Sequence, residues 1–202
     1  MVLTFWYDFS SSYSYLAAQT IEPMAEAAGV SLAWRPFLLG PIFKDAGYGG
    51  SPNLVSPAKA DYMWSDIARR AAHLGLPFVR PHPFPQNSVK AGRAALAVEP
   101  ALRPALTRAL FDQVFRDGAD ISDVGVIGSA AKEAGLEQEA VIEGATSQDA
   151  KDALFATVDE ARSLGIFGAP TFVCGDGALF WGSERIKDAL AWETTGALPK
   201  RG

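Results

Sequence analysis

The sequence predicts an α/β domain carrying an all-helical insertion, and three observations predict it. The first 36 residues read strand, helix, strand; a long run of helical spacing follows from residue 57 to residue 143; the chain then closes on a helix, a hairpin signal and a last helix. An α/β core whose two halves are separated by a helical block accounts for that order.

Each element has its own signal. Val2 to Tyr7 is β-branched and aromatic enough for a buried strand, and Tyr13 to Ala28 carries helical spacing through Leu16, Ile21 and Met24 until Gly29 ends it. Ser31 to Pro36 alternates Leu32 and Trp34 with polar neighbours, a second strand. A β-α-β opening implies a parallel pair joined by a right-handed crossover. From Phe37 to Ser56 the glycines and prolines multiply and periodicity fades, so this stretch is expected as a loop of functional length.

Helices are expected at 57–74, 88–98, 102–117 and 123–134, with a shorter one at 136–143; Asn87 and Ser122 are the expected caps of two of them. Ser147 is expected to cap a helix running through Leu154, Phe155, Val158 and Ala161 to Gly165. In "PTFVCGDGALFWG", two apolar runs flank Gly175-Asp176-Gly177, a hairpin signal. Ser183 is then expected to cap a final helix, 184–192.

Composition narrows the function. The 202 residues are nearly half apolar, carry a formal net charge of −5 and hold no block of Lys or Arg, which argues against nucleic acid or anionic lipid as partner and for a small substrate. "MVLTFWYDFS" lacks the features of a signal peptide, and no apolar run approaches a membrane span, so a cytoplasmic location is expected. The single cysteine, Cys174, permits neither an internal disulfide nor a Cys-x-x-Cys centre, and a small buried hydrophobe is its expected role. His73 and His82 stand apart from any metal or Ser-His-Asp spacing, so no metal is expected. Met63, Trp64, Ile67 and Leu74 are expected in the core, as are Phe180 and Trp181.

Three serines framed by aromatics, "YDFSSSYSYLAA", sit where the first strand meets the first helix. Hydroxyls there cap the helix or bind something else; on local sequence Ser11 reads as an N-cap. Pro170 in "FGAPTF" reads locally as the start of an edge strand, and Ser183-Glu184 as a plain helix start. Lys44, after the second strand, reads as a solvated lysine.

Four stretches in order, "DFSSSYSYLA" at 8–17, "PAKADYMWSDIARRAAHLGLPF" at 57–78, "GIFGAPTF" at 165–172 and "FWGSERI" at 180–186, resemble the 2-hydroxychromene-2-carboxylate isomerase and kappa-class glutathione transferase family. That family is similar to DsbA-type oxidoreductases. The resemblance implies a thioredoxin-like domain, 1–40 plus 147–202, interrupted by a helical insertion domain, 41–146. It implies glutathione as cofactor, with Ser11 as the catalytic residue facing its sulfur where redox relatives start a Cys-x-x-Cys. Ser12 stands where the family has proline. The resemblance further implies a cis-Pro170 that frees the Ala169 backbone to pair with the tripeptide, Ser183 and Glu184 at its γ-glutamyl end, and Asn53 in the cofactor site. Lys44, Asn53 and Asn87 are the candidate contacts to substrate.

The same resemblance implies a glutathione-dependent cis-trans isomerase acting on a small aromatic ketoacid, placed in aromatic catabolism and assembled as a homodimer. A kappa-like glutathione transferase or peroxidase is the first alternative, and a non-catalytic glutathione-binding or interaction module is the second. A protein disulfide oxidoreductase is excluded by cysteine count.

Overall fold

The computed structural model describes residues 1–199. The β-branched and aromatic start of the chain forms β1 (Val2–Tyr7), which becomes one of the two inner strands of a four-stranded sheet. α1 (Ser12–Ala28) crosses over to β2 (Ser31–Pro36), parallel to β1 with Phe5 opposite Trp34. Gly29 ends α1 in a left-handed conformation at φ 67°, which returns the chain to the sheet at little cost for a residue without Cβ. After the helical block, β3 (Thr171–Val173) pairs antiparallel with β1, and β4 (Leu179–Trp181) with β3, completing the order β2-β1-β3-β4.

Between β2 and β3 lie α2 (Leu39–Asp45), α3 (Pro57–His73), α4 (Val89–Ala97), α5 (Arg103–Phe115), α6 (Val124–Glu133), α7 (Gln138–Thr146) and α8 (Gln148–Ser163); α9 (Ile186–Thr195) ends the fold. The two faces of β1 explain the layers. Leu3, Phe5 and Tyr7 alternate onto one face and join a large core with α1, α3 to α7 and α9, where Phe5 stacks on Phe172 with ring centroids 5.5 Å apart. Trp6 points to the other face and packs with Phe37, Leu39, Ile42, Val158 and Ala161 beneath α2 and α8.

Several expectations need correction. The stretch 37–56 is not all loop: α2 and a 3-10 turn, Pro52–Leu54, occupy part of it. Gly40 and Pro41 conceal the helix in the sequence, but Pro41 falls in the first turn, where backbone N–H groups have no intrahelical acceptor anyway. Asp123 caps α6 by accepting from Gly125 N, so Ser122 does not. Ser88 holds the cap position of α4, while the Asn87 side chain accepts from Val89 N at 3.1 Å. Ser183 caps nothing; it opens a 3-10 turn, Ser183–Arg185, preceded by Gly182 at φ 111°. Leu74 is 44% exposed, because α3 ends before it and turns it outward. Met63, Trp64 and Ile67 are buried, and Ser147 caps α8 as expected, accepting from Ala150 N at 3.1 Å.

Candidate active site

The Tyr7–Ser11 turn delivers Ser11 to the N-terminus of α1. Ser11 is 8% exposed; its Oγ accepts from Ser14 N at 3.2 Å and donates to the Ala169 carbonyl at 3.0 Å. It is therefore an N-cap and a link to the loop across from it. That loop contains a cis peptide bond between Ala169 and Pro170. The Pro170 carbonyl accepts from Gly182 N at 3.0 Å, so β4 and the turn after it are tied to the same loop. The first turn of α1 holds no acidic residue, so the positive end of the helix dipole lies beside the Ser11 hydroxyl.

Ser11, Ala169 and Asn53 line a cavity of about 370 Å³ together with Tyr13, Phe43, Lys59, Met63, Phe84, Phe167 and Trp181. Trp181 is 53% exposed and Phe167 58%, with ring centroids 5.1 Å apart. Trp181 is thus wall and not core, whereas Phe180 is buried as expected. Gly168 makes this possible, since a Cβ there would run into the indole Nε1. A flanking depression shares Tyr13, Asn53, Ala169 and Trp181 and adds Pro170, Asp66, Arg70 and Glu184. Ser183 lies apart, in a neighbouring depression with Arg69, His73 and Lys187 that Glu184 and Arg70 also border.

Lys44 and Asn87 sit together in a second cavity, of about 620 Å³. Its wall is shared with the first: Ser10, Leu39, Phe43, Tyr48 and Ser51 line both. The structure therefore brings together Ser11, Ala169, Pro170, Asn53 and Glu184 around one cleft, and Lys44 and Asn87 around its neighbour.

Sequence reasoning missed Tyr13, Lys59, Asp66 and Arg70. The Tyr13 hydroxyl donates to Asp66 Oδ2 at 3.0 Å, and Arg70 Nε donates to the same oxygen at 2.7 Å. Burial, then the Asp66 carboxylate, pushes the Tyr13 phenol up, so it remains protonated. Although partial burial opposes it, hydrogen bonds from Arg70 and Tyr13 hold the Asp66 carboxyl below its usual range. The i, i+4 spacing of Asp66 and Arg70 was the available signal, but the same spacing serves any solvated helix face. Cys174 is buried, and burial, with the Glu193 and Asp176 carboxylates nearby, pushes its thiol up to about 12. A buried, protonated thiol is poorly suited to act as a nucleophile.

A serine at a helix N-terminus facing a cis-proline loop is a thioredoxin-type arrangement, and the family model of the DSBA-like thioredoxin domain matches residues 2–191. The chain belongs to the DsbA-like thioredoxin family. A 2-hydroxychromene-2-carboxylate isomerase from Sphingobium xenophagum is 27% identical over 91% of this chain and 93% of its own. The human protein named glutathione S-transferase kappa 1 is 29% identical over 90% of this chain and 86% of its own. A solved structure of 2-hydroxychromene-2-carboxylate isomerase superposes with a TM-score of 0.83 at 25% identity, covering 92% of this chain and 91% of that one. In this DsbA-like chain, Ser11 and Ser14 occupy the spacing at which a redox pair of cysteines would stand. Among the described residues, no cluster of His, Cys, Asp and Glu is arranged to hold a metal, and no helix is long and apolar enough to cross a membrane.

Proposed function

We propose that this DsbA-like protein is a glutathione-dependent cis-trans isomerase of a conjugated aromatic ketoacid of the 2-hydroxychromene-2-carboxylate type. The observation that carries the reading is the Ser11 hydroxyl, set at the N-terminus of α1 and 3.0 Å from the carbonyl that precedes cis-Pro170.

The residues fit the tripeptide end by end. Lys59 borders the first cavity and suits the glycyl carboxylate; Arg70 and Glu184 border the flanking depression and suit the carboxylate and ammonium of the γ-glutamyl end. The Ala169 N–H has no partner among the described residues, and a cysteinyl carbonyl would supply one. Rotation of the Ser11 hydroxyl changes two things at once. It aims the proton at a sulfur instead of at Ala169, and it releases the Ala169 carbonyl to accept the cysteinyl N–H, the pattern of a short added strand.

Glutathione, when bound, supplies a thiolate that adds to a conjugated double bond and leaves after rotation about it. The chain's part is to keep the sulfur ionised. A thiol with a pKa near 8.5 needs about 2.7 kcal/mol to move down by ~2 units. A helix N-terminus contributes up to ~2 kcal/mol, and a hydroxyl donating to a charged sulfur roughly 1.5 kcal/mol or more. Together they suffice. Lys44 and Asn87 would hold the acceptor's carboxylate in the second cavity, with Phe43 and Tyr48 against its ring; Asn53, on the first cavity and the flanking depression, would face the tripeptide. The reading carries with it a cytoplasmic homodimer, checked by fractionation and light scattering.

The similarity to the human kappa-class protein favours a second reading, a glutathione transferase built on the same site. Free thiol followed alongside loss of the cis-alkene absorbance separates them. We expect many product molecules for each glutathione added; consumption of one thiol per product would replace the isomerase with the transferase.

A further inference from the structure

Asp8 follows β1, stands three residues before Ser11 and is 2% exposed. Its carboxylate accepts from three elements: Oδ1 from Ser10 N at 2.9 Å and from Ser88 Oγ at 2.7 Å, and Oδ2 from Leu39 N at 2.6 Å. Its backbone carbonyl accepts from Ser11 N at 2.9 Å. Every one of these partners is neutral, yet taking a carboxylate out of water costs several kcal/mol, and a simple turn is served as well by a neutral Asn or Ser. The number of donors explains the charge. Asn offers one oxygen, so its Nδ2 would face the Ser10 amide in one orientation and the Leu39 amide in the other, leaving a buried N–H against a second donor.

Where the donors sit gives the carboxylate its significance. Ser10 and Leu39 line both cavities, and Ser88, beside Asn87, lines the second. One buried side chain thus ties the turn that aims Ser11 to the first residue of the wall between the cavities and to the start of α4. We propose that Asp8 is a positioning residue for the reaction, holding the sulfur site and the acceptor site at one separation; the inference rests on the glutathione-dependent reading above. Lys59, Arg70, Glu184 and Ala169 are not among its partners. Loss of Asp8 therefore disturbs the meeting of the two ligands and spares the grip on the tripeptide.

Full-length Asp8→Asn and Ser88→Ala test this with glutathione and a cis-configured aryl ketoacid, by calorimetric Kd, thiolate absorbance against pH, kcat, KM and Tm. We expect Asp8→Asn to lower kcat roughly tenfold or more, the scale of one charge-assisted hydrogen bond, and to shift the titration of the bound thiol while the glutathione Kd stays within about twofold. Ser88→Ala, which leaves both backbone donors satisfied, should raise the acceptor KM without moving the thiol titration. A folded Asp8→Asn with a lower Tm but unchanged kcat and thiol titration would make the residue merely structural and overturn the proposal. Should that variant fail to fold, an unchanged KM in Ser88→Ala overturns it. Wild-type protein that bound no glutathione would remove the underlying reading, and this inference with it.

Discussion

The Ser11 hydroxyl holds two hydrogen bonds at once, one capping α1 and one bracing the cis-proline loop. The residue is therefore structural in the free protein, and under the proposed reading it would become chemical only when a sulfur takes the place of the Ala169 carbonyl as acceptor. Cys174 is the opposite case, a reactive group made inert by its surroundings. Its Sγ lies 3.6 Å from the Ala189 carbonyl, and burial first, then neighbouring carboxylates, keep the thiol protonated at neutral pH. Cys174→Ala should keep full activity and lose only modest stability, the cost of a small buried group. Activity and thermal melting of the purified variant check this; a folded but inactive protein would point to a protein thiol in the chemistry. The cap at Ser11 was legible from its place between strand and helix, and the burial of Cys174 from its lack of a partner; a chemical role for Ser11 came only with the family resemblance. Asp8 was not, because its partners come from residues 10, 39 and 88, and only the fold brings the last two beside it. Its faint signal was an Asp two residues ahead of Ser10, the spacing of a side-chain turn.

Among the elements, strands and long helices were readable because their periodicity is local: β1, α1 and β2 lie where spacing puts them. α2 was hidden because tertiary contacts stabilise it, Leu39 and Ile42 packing under Trp6 and Phe37 while Asp8 accepts the Leu39 N–H. Packing also governs the seam between α1 and α5. There Gln19 Nε2 donates to Asp112 Oδ1 at 2.8 Å, and Arg116 reaches Asp112, Asp117 and Glu133. Burial first, then the Glu133 and Asp117 carboxylates, against the pull of Arg116, raises the Asp112 pKa from 3.8 to about 6. Between those two values the folded state binds more protons than the unfolded state, so this group's contribution to stability grows as pH falls from 6 toward 4. Above pH 6 the penalty is complete. Asp112→Asn keeps an oxygen for Gln19 and should be more stable than wild type at pH 7.5, by about 1–2 kcal/mol after allowing for partial exposure, and so melt higher. The difference should shrink toward zero at pH 4. Melting curves across that range decide; a variant less stable at neutral pH would show that Arg116 outweighs burial.

For the molecule as a whole, two cavities meet along α2 and the loop after it, beneath the start of α1. The sheet positions one side of this junction, since β1 carries Asp8 and the turn to Ser11 while β3 and β4 hold the cis-proline loop and Trp181. The segment between β2 and β3 supplies the other side, α3 through Lys59 and Met63 and the loop between α3 and α4 through Phe84 and Asn87. The β-α-β opening and the closing hairpin were legible as local patterns; the meeting of the two sides was not, because it depends on contacts between residues far apart in the chain. At this junction the α1 N-terminus and the Ser11 hydroxyl would together ionise a bound thiol. Ultraviolet titration of glutathione bound to wild type and to Ser11→Ala measures that directly, because a thiolate absorbs where a thiol does not. We expect a bound thiol roughly 2 pH units more acidic than the free value in wild type, and a pKa at least one unit higher in Ser11→Ala with the glutathione Kd little changed. Identical titrations in the two proteins would remove Ser11 from the ionisation of the sulfur, and with it the proposed chemistry of the site.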